Sequence, residues 1–149
     1  MVDSKEKGAR AESKVRDELR KHTGHDWQRV PLSGALDARL GLKGDIFIPN
    51  KKNIYCIEVK HYKDDHLNSK VLTGKNPQLI EWWEQAIREA KQTHKKPLLI
   101  FKHDRSKIFV AFEEPHLDDG KFLNVNYNKY NFYICLLDDF LKLNIEWIE

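Results

Sequence analysis

Only 2 of the 149 residues are cysteine. Cys56 and Cys135 both lie inside strand-like apolar runs, which excludes a disulfide framework. No apolar run approaches the ~20 residues of a membrane helix, and the opening "MVDSKEKGAR" lacks the apolar core of a secretion signal. A cytoplasmic protein without a membrane partner is therefore expected. There is no internal repeat, low-complexity segment or Pro/Gly/Ser linker, so residues 1–149 are expected to form one domain. The 7 histidines form no HExxH or other zinc spacing. A P-loop glycine pattern is missing, so no nucleotide cofactor is indicated. No G-x-S-x-G surrounds Ser33, which argues against a serine hydrolase.

What is present is a charged, globular composition: 40% hydrophobic and 33% charged residues, with a net charge of +3. The charge is unevenly spread. Residues 113–149 carry 3 Lys+Arg against 8 Asp+Glu, whereas residues 1–112 carry 23 against 15. A basic body with an acidic end suits a polyanionic partner on one face, although ordinary solvated charge gives the same totals.

Hydrophobic spacing supplies the elements. Ala11, Val15 and Leu19 recur every fourth residue and predict a first helix over residues 4–24, closed by Gly24. "DWQRVPL" reads as a short strand and "SGALDARLGLKG" as a loop. "DIFIP" and "IYCIEVKHY" read as a hairpin around the turn "NKKN". "HYKDDHLNSKVLTGKNP" reads as a basic loop. A second helix follows, with Leu79, Trp83, Ile87 and Ala90 on one stripe and Pro77 at its start. "PLLIFKHD" and "KIFVAFEE" read as strands joined by a turn at "HDR". After a turn-rich segment, "NFYICLL" reads as a strand and "DDFLKLNIEW" as a short helix capped by Asp138. The pattern predicts an α/β protein, a mixed sheet with helices packed on it. Trp82 and Trp83 are adjacent, which places Trp83 in the core and Trp82 at a dimer interface or against DNA.

The hairpin raises a chemical question, because its apolar residues suit a core while Asp45, Glu58 and Lys60 do not. If Pro49 faces Ile54, then Asp45 falls opposite Glu58, with Cβ atoms ~4.5–5.5 Å apart; Lys60 shares that face. A slip of one residue would separate them. Two carboxylates this close repel unless something offsets them. A divalent cation does so, since Mg²⁺ takes one or two carboxylates plus waters and phosphate oxygens. The backbone carbonyl of Val59 could add a ligand, and Lys60 would stand beside the ion's water, placed to orient or deprotonate it. The competing reading of "EVK" is a surface ion pair. Glu12, on the inward face of the first helix, needs a partner because Glu is rarely buried alone; this site or a nearby Lys or Arg would serve. Asp37 could assist the site or form a turn. Lys63, Lys70, Lys75, Arg88, Lys91, Lys95 and Lys96 could follow a phosphate backbone or simply be solvated.

Taken together, "KGARAE", "RVPLSGALD…KGDI", "IEVK", "WWEQAIREA" and "PLLIFK" resemble the PD-(D/E)XK nuclease superfamily. Within it they are most similar to archaeal-type and phage-encoded Holliday junction resolvases, over residues 7 to 112. The resemblance implies a restriction-endonuclease-like mixed sheet flanked by helices, with residues 113–149 as an acidic strand–helix extension. It makes Asp45 and Glu58 metal ligands, Lys60 the catalytic lysine, and Glu12 an acidic residue of the active site. Ser33 would lie near the scissile phosphate. Arg10 and Arg29 would contact phosphates, with Lys63 beside them, and Gln85 would join the DNA-binding set. The implied cofactor is Mg²⁺, with Mn²⁺ as substitute. The implied partner is branched DNA, cut by a homodimer in a prokaryotic cell or phage-infected host during recombination or repair. Two alternatives share the motif: a restriction- or repair-type duplex nuclease, and a DNA-binding module that has lost catalysis. Gly44 stands where the superfamily name has proline, and residues 63–77 are longer than a minimal resolvase needs.

Overall fold

The structure, a computed structural model, describes residues 4–31, 43–113 and 120–149, with side chains from Gly8 onward. Helix α1 (Ser4–Thr23) forms where expected, and Ala11, Val15 and Leu19 are buried along one stripe. It ends at Gly24, whose φ of 77° is left-handed and whose amide donates to the Arg20 carbonyl at 3.0 Å. Glycine adopts this conformation without a steric cost.

The remaining elements are β1 (Gln28–Arg29), β2 (Ile46–Phe47), β3 (Tyr55–Tyr62), α2 (Lys70–Thr73), α3 (Gln78–Gln92), β4 (Lys96–His103), β5 (Phe109–Phe112), β6 (Leu123–Tyr127), β7 (Tyr130–Leu136) and α4 (Leu137–Phe140). Among the described residues the strands make one seven-stranded sheet in the order β1-β2-β3-β4-β5-β7-β6. β3 and β4 run parallel, joined through α3, while the other pairs are antiparallel. The mixed sheet flanked by helices predicted from the sequence is therefore what the chain forms. No described helix is long and apolar enough to cross a membrane.

The period of two along a strand sorts residues onto two cores. Leu98 and Ile100 of β4 join Ile57 and Val59 of β3 under α1. Leu99 and Phe101 join Leu79, Trp83 and Phe132 under α3. On β3 this parity leaves Cys56, Glu58, Lys60 and Tyr62 for the α3 side. Both cysteines are free and buried.

Several expectations are corrected. "DWQRVPL" and "DIFIP" contribute only two-residue strands. Past Phe47 the ladder stops, because Pro49 has no amide to donate and the side chain of Asn53 takes over. Its Oδ1 accepts from Ile48 N, and its Nδ2 donates to Ile48 O, each at 2.8 Å. The expected loop after the motif instead begins inside β3 and contains α2. Trp82 and Trp83 are both buried, at 3% and 1% exposure. The parity argument failed because Tyr62 and His66 cover Trp82 from outside the helix, with ring centroids at 4.9 and 5.1 Å. The turn-rich segment holds β6. Asp138 is no cap, since it lies inside the first turn of α4 while Leu136 holds the cap position.

The acidic C-terminal segment is woven into the sheet: β7 lies between β5 and β6. Trp147 returns to the α1 core, 5.2 Å from Trp27 and 5.5 Å from Tyr55.

Candidate active site

Asp45 is held at three points. Its amide donates to Ile57 O at 2.7 Å and its carbonyl accepts from Val30 N at 2.8 Å. Its Oδ2 accepts from Val59 N at 2.7 Å. Strand register brings it there: Ile46 pairs with Ile57, the alignment that puts Asp45 next to Glu58. Beyond this pair the two strands part, and the Asp45 side chain replaces the next backbone partner of β3. Gly44 makes the approach possible. Its φ is 85°, and a Cβ there would stand 2.5 Å from Ile57 O. Proline, locked near −65°, could not take this conformation, which explains the departure from the superfamily name.

Glu58 points to the α3 side and is 3% exposed. Gln85 Nε2 donates to its Oε2 at 3.4 Å. Burial pushes the Glu58 carboxyl far above the usual carboxylate range, and a hydrogen-bond contact with Glu89 and the charge of Asp45 push it further. Asp45 is pushed up to about 7, first by burial and then by Glu12, against the lowering effect of the Val59 amide and Lys60. The Lys60 charge favours the ionised form of both carboxyls. Glu12 touches Asp45 and also accepts from Arg29, Nη2 at 2.8 Å and Nε at 3.1 Å. Both partners considered for it are therefore real, and the Arg29 guanidinium is engaged by a carboxylate. Arg10, Lys63 and Gln85 line the same cleft of about 970 Å³ as Glu12, Asp45, Glu58, Val59 and Lys60. Ser33 and Asp37 lie outside the described residues.

Sequence reasoning missed several neighbours. Glu89 lies four residues after Gln85 on α3, so helical spacing alone puts both on the Glu58 side. Lys14, His61, Tyr62, Lys102 and Asp104 also line the cleft, and His61 Nε2 sits 2.9 Å from Asp104 Oδ1.

Among the described residues, no three His, Cys, Asp or Glu side chains form a complete metal cage. The donor set nevertheless fits a hard divalent cation. Glu58 is buried and Asp45 half-buried, the charge of Asp45 raises the cost of ionising Glu58, and a bound cation would offset that charge. Mg²⁺ suits such a set because it keeps several waters and substrate oxygens in its coordination sphere.

Residues 3–149 match the family described as "Phage putative PDDEXK endonuclease". The chain belongs to this family. Protein D14 of Escherichia phage T5 is 46% identical over 123 residues, covering 79% of this chain and 77% of that protein. A structure of Hjc from Archaeoglobus fulgidus, a Holliday junction resolvase from an archaeal hyperthermophile, is 22% identical. It covers 85% of this chain and 86% of its own, with a TM-score of 0.43. Membership agrees with the PD-(D/E)XK resemblance carried by Asp45, Glu58 and Lys60. Nucleases of this superfamily generally use divalent metals.

Proposed function

We propose that this family member is a Mg²⁺-dependent, structure-selective DNA endonuclease that resolves four-way junctions. The observation that carries the reading is the convergence of Asp45 and Glu58 on one cleft beside Lys60, at the point where β2 and β3 part. Asp45, Glu58 and the Val59 carbonyl would hold the cation, and Mn²⁺ would substitute for Mg²⁺. When bound, the ion supplies Lewis acidity toward a phosphodiester and its attacking water.

The chain's own residues set the geometry. The Val59 amide fixes one oxygen of Asp45, whose side chain lines the cleft. Gln85 orients Glu58 from α3. Lys60 places a positive amine beside both carboxylates, where it orients the attacking water and offsets charge building on the phosphate. Glu12 ties α1 to Asp45 and fixes Arg29. Arg10 and Lys63, at the cleft wall, hold flanking phosphates of the same strand. Ser33, outside the described residues, enters the proposed site only through the family resemblance. Symmetric cutting of a junction needs two such sites, hence a C2 homodimer.

The test compares a synthetic four-way junction with linear duplex of the same sequence, in Mg²⁺ and in EDTA. Faster cutting of the junction, abolished by EDTA and by Glu58→Gln, is expected. Equal or better cutting of linear duplex would replace the resolvase reading with a restriction- or repair-type nuclease. Undiminished cutting by Glu58→Gln would remove the assigned site.

A further inference from the structure

Tyr62 is 42% exposed, and among the described residues no other Phe, Trp or Tyr is exposed. It lies two residues past Lys60 on β3, on the same strand face, and lines the same cleft as Glu58 and Lys60. One side of its ring rests on Trp82, with centroids 4.9 Å apart and planes inclined by 34°. The edge of His66 braces it at 5.7 Å, and Trp82 is backed in turn by Phe101 at 6.1 Å. His66 comes from the long segment after β3, so that segment helps hold the ring in place. The Trp82 Nε1 is buried without a hydrogen-bond partner among the described residues.

From this geometry we infer that Tyr62 is a stacking platform for a nucleobase whose face a branch leaves unstacked next to the cut. The inference rests on the nuclease reading and sharpens it by naming the substrate feature that is recognised. Two strand residues span roughly 6.7 Å, about two stacked nucleotides along one DNA strand. A phosphate at Lys60 therefore puts a nearby base within reach of the Tyr62 ring. Lys63, exposed beside it, supplies charge for the backbone of that nucleotide. Linear duplex offers no free base face, whereas a branch point or a frayed end does. A fixed, supported aromatic face gains from stacking on any base, so the platform reads structure and not sequence.

The experiment uses the full chain carrying Glu58→Gln, with 2-aminopurine at the branch nucleotides of a synthetic junction and at a matched position in linear duplex. Binding by the Tyr62 protein and by Tyr62→Phe is expected to change the junction emission. Tyr62→Leu, which has no π-face, is expected to lose the change and weaken junction binding roughly 5- to 150-fold. Tyr62→Met, judged by the same readout, replaces the leucine variant should that fail to fold. Equal emission and affinity for all variants, with DNA still bound, would overturn the platform and leave the nuclease reading intact. Absence of DNA binding by every protein would overturn both. A Tyr62→Leu protein that changes oligomeric state in sedimentation, with emission unchanged, would make this face a contact between copies and overturn the platform.

Discussion

Gly44 determines where Asp45 can go. Its left-handed φ and the 2.5 Å approach that a Cβ would make to Ile57 O mean that any side chain must push β2 away from β3. Gly44→Ala is therefore expected to lower stability by about 1–3 kcal/mol and to cut nuclease activity more than tenfold. Urea melts and a cleavage assay run side by side would check this. Retained activity would show that Asp45 does not depend on this turn. The two raised carboxyls predict a metal-linked response as well. Their folded pKa values lie above the unfolded ones, so the folded state holds protons that the unfolded chain has released. In EDTA, stability should accordingly fall as pH rises from about 4 through the Asp45 value near 7, and Glu58 carries the loss to higher pH. Mg²⁺ should raise Tm at pH 8, and Glu58→Gln should melt higher than wild type in EDTA while losing the Mg²⁺ gain. Calorimetry with and without Mg²⁺ measures both effects, and a wild-type Tm indifferent to Mg²⁺ would count against the proposed ligands.

Among the elements, legibility followed local pattern. β3 and β4 are buried on both faces and read as continuous apolar runs, so they were visible, as was α1 with its four-residue spacing. The pairing that joins Asp45 to Glu58 followed from the turn position and holds at Ile46 and Ile57. β6 stayed hidden because Asn124 and Asn126 occupy its solvent side, and asparagine is also a turn residue. Turn chemistry is indeed present just beyond it, where Asn128 has a φ of 50°. The Glu58–Glu89 contact was out of sight because it depends on how α3 lies across the sheet, which no local spacing encodes. Asn53 illustrates a link that only three dimensions reveal. It is 8% exposed and satisfies both backbone groups of Ile48. Asn53→Ala would leave two buried polar groups unmet and should cost about 2–4 kcal/mol, read from the midpoint of a urea melt. A shift below about 0.5 kcal/mol, the scale of an ordinary surface change, would mean that water replaces the amide.

Over the whole molecule, the division into a basic body and an acidic end does not survive as architecture. Residues 123–136 complete the sheet, and the aromatic rings of Trp27, Tyr55, Phe140 and Trp147 close the core under α1. Trp147→Ala should destabilise the protein by about 3–5 kcal/mol, with a matching loss of near-UV circular dichroism. A neutral outcome would show that the segment is an appendage. The same segment fastens the turn between β2 and β3. Trp147 O accepts from Ile54 N at 3.0 Å, and Glu149 N donates to Lys52 O at 2.9 Å, next to a bridge between Asn53 and Ile148. Residues 147–149 thus clasp the connection that aligns Asp45 with Glu58. Severing that clasp is expected to free the β2–β3 connection and so unsettle the carboxylate pair from a distance, with neither acid altered.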